Sequence, residues 1–512
     1  MTTMLETIRP YLTTPYILLA LFSIFIAKNQ INKFQQNRRI SRLGARAPLR
    51  TTYLPYGIDF IVETLSYMVK DMNLDIWRHT FNKYGNGGYT IEMVGAERIL
   101  LTAEPENIKA ILATQFKAYG KGAAFHDDWH EFLGDSIFTT DGDQWHNSRQ
   151  LIRPQFIKDR VSDLDIFEEH SQTVMELLGG NREVNFLDVM FRYTLDAATH
   201  FLLGRSVNSL AQPQVAFANA FSNVQRVQSF VARVGALNWA IPRRRMGFYS
   251  SLKIVDDFLN QYVEEALSLS AKELEKKTSH DQGYTFLHSI AAHTRNRKML
   301  RDQLIAVLLA GRDTTACTLS WTIYELSLHP EVVAKLRQEI IEHIGLERPP
   351  TYQNLKDMKY LQHIMNETLR LYPSVPFNVR LALTDTTLPT GGGPDGTLPI
   401  GILKDTPIGY STLLMQRRAD LYPPPESGFP DVETFVPERW DSWTPKSWTY
   451  VPFNGGPRLC VGQQFALTEM GYTLVRLFQR FQGVENRMNG EAPGLHADIV
   501  LQPGKPLKVA FF

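Results

Sequence analysis

Phe453-Asn454-Gly455-Gly456-Pro457-Arg458-Leu459-Cys460-Val461-Gly462 is the stretch on which the fold turns. A loop rich in glycine and proline delivers one cysteine. An amphipathic helical pattern follows at once, with Phe465, Leu467, Met470, Leu474, Val475 and Phe478 on one face. A cysteine at a helix start meets free backbone N–H groups and the positive end of the helix dipole, and both favour thiolate over thiol. Glycines at 455, 456 and 462 let the backbone approach a flat group without Cβ clashes. An isolated cysteine would read as packing, but this one sits in a run whose every neighbour fits the same use.

Outward from the loop, three more patterns stand in chain order. Trp145-His146-Asn147-Ser148-Arg149 comes first. Ala310-Gly311-Arg312-Asp313-Thr314-Thr315 lies midway along the longest helical pattern, 298–328. Glycine and threonine are mediocre helix formers there, which points to a functional distortion. Glu367-Thr368-Leu369-Arg370 then places two charges on one helix face, and Phe435-Val436-Pro437-Glu438-Arg439-Trp440 brings another arginine.

The cysteine loop resembles the haem-binding signature F-x-x-G-x-R-x-C-x-G of the cytochromes P-450, matched by Phe453, Gly456, Arg458, Cys460 and Gly462. The resemblance covers roughly residues 50 to 512 and implies a mainly α fold with small β-sheets. It implies non-covalent haem b, ligated at the iron by the Cys460 thiolate. Trp145, Arg149, Arg380 and Arg458 are then expected at the haem propionates, because buried carboxylates need fixed donors. Glu367, Arg370 and Arg439 become a buried scaffold. Asp313 and Thr314 become the pair that brings protons to dioxygen, and Gly311 leaves it room. Cys317, one turn on, reads as packing. No flavin or nicotinamide module is evident, so electrons are expected from a separate chain, an NADPH-dependent flavoprotein reductase.

The remaining periodicity predicts helices over 164–178, 186–203, 215–234, 249–277 and 355–371. Short strands are expected at 89–94, at 380–388 and 398–408 as two arms around the 391–396 turn, and at 499–501 with 507–511.

At the N-terminus, Tyr16 to Ala27 is apolar except for Ser23, slightly short of the ~20 residues that span a bilayer. Lys28, Lys33, Arg38, Arg39, Arg42, Arg46 and Arg50 follow it and only Arg9 precedes it, which places the C-terminal side in the cytosol. A cleaved signal peptide would carry its charge first. Residues 1–50 therefore read as a membrane anchor and basic linker, single-pass in the endoplasmic reticulum, and 51–512 as the catalytic domain. Pro48 and Pro55 stiffen the link. With 54 Lys+Arg against 53 Asp+Glu, no nucleic-acid partner is indicated. Two cysteines give no disulfide framework and suit a reducing compartment.

Segments 54–59, 132–139, 149–156, 391–396 and 455–469 resemble the fungal subgroup that hydroxylates alkanes and fatty acids at the chain end. A hydrophobic, long-chain substrate is therefore expected alongside O2. Phe125, Phe132, Ile137, Phe138, Ala310, Val375 and Phe377 are the candidate pocket residues. Ala310 stands where animal fatty-acid hydroxylases carry a haem-esterifying glutamate, so no covalent link is expected. Gln416 replaces a histidine common before Arg417, and Pro423-Pro424-Pro425 is unusual. These departures leave open a tailoring hydroxylase of a secondary metabolite such as a polyketide. An isomerase or dehydratase on the same haem is disfavoured by the intact Asp313-Thr314 pair.

Overall fold

The computed structural model describes residues 14–54, 57–95, 98–156, 164–213, 215–274 and 285–512. Arg9 and Pro55 lie outside them. The helices that matter here are α1 (Thr14–Leu43), α2 (Gly122–Leu133), α3 (Gly142–Ile152), α4 (Asp165–Leu178), α5 (Phe186–Leu203), α6 (Ala216–Val234), α7 (Phe248–Ser268), α8 (Arg297–Leu328), α9 (Lys359–Leu371) and α10 (Gln463–Arg480). The sheets are small, and the fold is mainly α as the sequence implies.

α1 runs well past the apolar segment, and its apolar window is wholly exposed, as for a helix that crosses a bilayer. Its far end docks on the body: Ile40 is buried, and Arg39 pairs with Asp385 at 2.7 Å. α8 starts at the Asn296 cap, whose side chain accepts from the Met299 N–H, and stops before Pro330, which opens the next helix. The expected helix over 355–371 is two pieces, because Met358 turns extended (ψ 93°) between Tyr352–Asp357 and α9.

A six-stranded sheet is ordered β1-β2-β3-β6-β5-β4, from β1 (Leu49–Arg50), β2 (Thr90–Val94), β3 (Arg98–Thr102), β4 (Tyr119–Gly120), β5 (Phe377–Ala382) and β6 (Pro407–Ser411). The two expected arms around the 391–396 turn are each broken. Thr386–Gly392 pairs with Leu398–Ile402 as a hairpin, while β5 and β6 pair with each other in the larger sheet. The break comes at Asp405 (φ +64°), whose N–H reaches the Ala382 carbonyl. The C-terminal pairing also differs from expectation. Leu501–Pro503 pairs with Leu495–Ala497, and Lys508–Phe511 pairs with Val484–Asn486 and Val184–Asn185.

Two apolar clusters form the core. Leu300 to Leu309 of α8 belong to one, with α6 and α7; Ala316 to Leu326 belong to the other, with α9 and α10. Residues 310–315 lie at the seam. The cysteine loop spans the same seam, Phe453 packing on one cluster and Val461 on the other.

Candidate functional site

α8 is buried almost all round from Asp302 to Ile323, but Val307, Ala310, Gly311 and Thr314 keep accessible surface. At 100° per residue these four share one arc of the helix. A long helix with one accessible stripe in an otherwise buried middle faces an interior space. Cys460 shows the same combination: its side chain is accessible, yet burial pushes its thiol pKa up. The surface it exposes is therefore internal. The Gly462 N–H and the Arg149 guanidinium act the other way, toward thiolate.

The glycines separate into two kinds. A Cβ on Gly455 would strike the Trp448 ring at 2.5 Å, and one on Gly456 (φ +61°) would meet the Leu112 carbonyl at 2.0 Å. Packing and backbone conformation by themselves require glycine at both. Gly462 and Gly311 have no such neighbour: the nearest atoms to a Cβ would be Phe156 Cε1 and Ala198 Cβ, each at 4.0 Å. Glycine in the middle of α8 costs about 1 kcal/mol against alanine, and no protein atom demands it. The space beside it is kept for something else.

Cations gather at one side. The register Gly120↔Leu381 sets Lys121, just past β4, beside Arg380 on β5. Lys121 is 8% exposed, its ammonium 3.3 Å from Asn378 Oδ1 and 4.0 Å from the Phe125 ring centre. Arg380, 3% exposed, donates to Asn378 Oδ1 at 2.8 Å. Arg458 pairs with Asp141 at 2.5 Å, lies 4.8 Å from the Trp145 ring and leaves its buried Nε without a partner. Asp141 is the single carboxylate among them, and it already accepts the Lys121 and Gly122 backbone N–H groups. Burial, and then mutual repulsion with Arg380, pushes Arg458 down to about 10 and Lys121 well below its ordinary value. Three buried cations around one saturated carboxylate require further anions. A flat group with two carboxylates, ligated through sulfur, fits that requirement. Lys121 was not foreseen from sequence, where it carries no motif. Arg149 instead donates to the Leu459 carbonyl at 2.8 Å, inside the cysteine loop, with its guanidinium 5.9 Å from the Trp145 ring.

Asp313 is buried and hydrogen-bonded by Gln225 of α6. Arg312 lies 3.3 Å from Asp313 Oδ1 and also donates to Gln225 and to Ser222. Burial raises the Asp313 pKa against the pull of Arg312. Thr314 donates to the Ala310 carbonyl at 2.7 Å, one turn back. Behind it, Glu469 of α10 is 2% exposed, faces Thr315 and is pushed up to about 8 by burial. Cys317 is fully buried, and burial drives its thiol far up, so it packs and does not react.

Glu367, Arg370 and Arg439 meet with fully buried side chains. Arg370 binds both Glu367 oxygens at 2.8 Å, Arg439 Nε reaches Oε1 at 2.8 Å and Trp440 Nε1 reaches Oε2 at 3.0 Å. The remaining guanidinium donors go to the Gln416, Pro430, Asp431, Val432 and Thr434 carbonyls. Gln416, the departure noted above, is completely buried. Its amide donates to the Leu369 and Arg370 carbonyls at 3.0 Å and accepts from the Val451 N–H at 3.0 Å. It ties α9 to the strand of chain that enters the cysteine loop.

Among the pocket candidates, Phe138 and Val375, each in a turn between elements, are 37% exposed, and Ile137, Ala310 and Phe377 are half-buried. Phe125 stacks on Trp129 with ring centres 5.6 Å apart. Phe132 is fully buried edge-on to Phe221, so it offers no surface to a ligand.

Comparison with known proteins gives the family. The family model described as Cytochrome P450 matches residues 54–511. The "Cytochrome P450 monooxygenase pvhE" of Talaromyces variabilis is 48% identical over 94% of this chain and 92% of its own. "Cytochrome P450 52A13" of Debaryomyces hansenii is 37% identical over 98% and 99%, and "Cytochrome P450 52A1" of Candida tropicalis is 42% identical over 77% and 74%.

Proposed function

The chain belongs to the cytochrome P450 family and is a haem monooxygenase, and from that premise we propose that it hydroxylates the end of a long-chain alkyl or fatty-acid-like substrate. Members of the family hold haem b through a cysteine thiolate and use O2, a hydrophobic substrate and electrons from a redox partner. Here Cys460 is the ligand. The observation that carries this is the internal accessibility of Cys460 together with the accessible stripe Val307, Ala310, Gly311 and Thr314. Haem, when bound, supplies dioxygen activation and insertion of one oxygen atom into a C–H bond.

The chain's own residues do the rest. Arg458, Arg380 and Lys121 hold the two carboxylates, with Trp145 packed against Arg458. Arg149 fixes the loop through the Leu459 carbonyl. Glu367, Arg370 and Arg439 keep the segments around the loop in register. The Thr314 hydroxyl, on the accessible stripe, passes protons into the site. Asp313, whose pKa burial raises, takes up a proton on the Gln225 and Arg312 side and hands it on toward Thr314. The apolar faces of Ile137, Phe138, Ala310, Val375 and Phe377 keep water out and align an extended chain.

The electron donor in this reading is a membrane-bound NADPH-dependent flavoprotein reductase. α1 anchors the protein once in the endoplasmic reticulum, its basic end and the catalytic domain in the cytosol. Full-length protein incubated with such a reductase, NADPH and a panel of alkanes and fatty acids should give products heavier by one oxygen, hydroxylated at the chain end. Conversion of none of them, or attack only on cyclic or aromatic compounds, overturns the substrate assignment. Loss of the carbon monoxide band that names the family in Cys460→His tests the ligand; its survival would remove Cys460 from that role.

A further inference from the structure

A second cluster of ligand-type side chains lies outside this site. His126 and His130 stand one turn apart on α2, their ring centres 4.9 Å apart. Gly134, at φ +54°, turns the chain where α2 ends, and Asp135 folds back onto the two rings. The Nε2 atoms of both histidines converge on one oxygen, Asp135 Oδ1, at 2.9 Å from His126 and 3.6 Å from His130. Ligands at about 2.0–2.2 Å from a tetrahedral ion lie about 3.3 Å from one another, and these two separations straddle that value.

Two further features favour an ion. Nδ1 of His126 is 3.4 Å from Asp127 Oδ1, the carboxylate contact that orients a ligating imidazole and leaves Nε2 for the metal. The side chains of His126, His130 and Asp135 are 30%, 41% and 41% exposed, open to an ion and to a water in the fourth position. Two imidazoles and one carboxylate select a zinc-class ion over magnesium or calcium.

We propose that His126, His130 and Asp135 form a binding site for a divalent transition-metal ion of the zinc class. The ion would clasp the C-terminal end of α2 to the Gly134–Asp135 turn. The same helix carries Phe125, Trp129 and Phe132 toward the core, so the clasp would stiffen one wall beside the substrate space. Lys298 is the built-in competitor: its ammonium sits 2.6 Å from Asp135 Oδ2 and 2.8 Å from Asp302.

Titration calorimetry of the full-length holoprotein with zinc chloride tests the site, with magnesium chloride as comparison. One zinc equivalent should bind, and His126→Gln and His130→Gln should each weaken it by at least about tenfold. Lys298→Met should act in the opposite direction and tighten zinc by about thirtyfold, the effect of removing one positive charge about 4 Å from a doubly charged ion in water. Circular dichroism checks that each variant is folded, and the Lys298 variant leaves all three ligands intact. Absence of zinc binding to the parent protein overturns the proposal. So does binding that neither histidine variant weakens, which would place the zinc elsewhere, for example at Glu169, His170 and His200. Equal magnesium and zinc affinity would overturn the ion class.

Discussion

Glu469→Gln separates stability from pH. Glu469 is buried on α10 against Thr315, and burial raises its pKa from the ordinary 4.5 to about 8. A carboxyl whose folded pKa lies above its unfolded one favours the folded state fully below pH 4.5. That contribution is lost as pH rises through the window from 4.5 to about 8, because the unfolded chain releases the proton first. At about 1.36 kcal/mol per pH unit, the loss across the window is about 5 kcal/mol. Glutamine has the same shape, can still hydrogen-bond Thr315 and cannot titrate. The variant should match the parent near pH 5 to within about 1 kcal/mol and exceed it by several kcal/mol at pH 8. With an unfolding entropy of about 2.1 cal/mol/K per residue, a chain of 512 residues turns that into a Tm difference of about 4 °C. Scanning calorimetry of parent and variant at half-unit pH steps from 5 to 8.5 reads it directly. A Tm difference that stays flat with pH, or a variant that is the less stable of the two at pH 8, would refute the reasoning.

Glu367→Gln leaves the Arg370 and Arg439 guanidinium groups buried with no counter-charge, a loss of about 3–5 kcal/mol, and should show as collapse of soluble, haem-loaded protein on expression. Gly311→Ala should gain about 1 kcal/mol of stability, since nothing crowds a Cβ there, while a smaller share of NADPH electrons reaches hydroxylated product. Lys121→Met should stabilise the haem-free protein below pH 10.5, where the lysine's lowered folded pKa makes its buried charge a burden, and should speed haem loss from the loaded protein; equal rates of haem loss would remove Lys121 from the carboxylate-binding set.

The haem-thiolate assignment was legible in the sequence because ligand, helix dipole and loop chemistry are concentrated in ten consecutive residues. The long helix was legible for a similar reason: Asn296 caps it and Pro330 stops it. What stayed hidden depends on tertiary pairing. Strands β5 and β6 belong to a different sheet from the hairpin that interrupts them, and no local signal marks the switch at Asp405. Lys121 gains its meaning from lying across the register from Arg380, more than 250 residues away in the chain. Gly456 carries a motif position, but its need for glycine comes from the Leu112 carbonyl, on a segment that sequence reading does not connect to it. Phe132 is apolar in either role, and only its burial against Phe221 places it in the core.

The glutamine at 416 has one more implication. An imidazole at that point, fastened to two carbonyls and one amide N–H, would change its donor and acceptor pattern each time it gained or lost a proton near neutrality. A carboxamide has one fixed set of partners. The clamp between α9 and the approach to the cysteine loop therefore keeps a single geometry under acidification, and any acid sensitivity of the sulfur ligand's placement must originate elsewhere in the molecule.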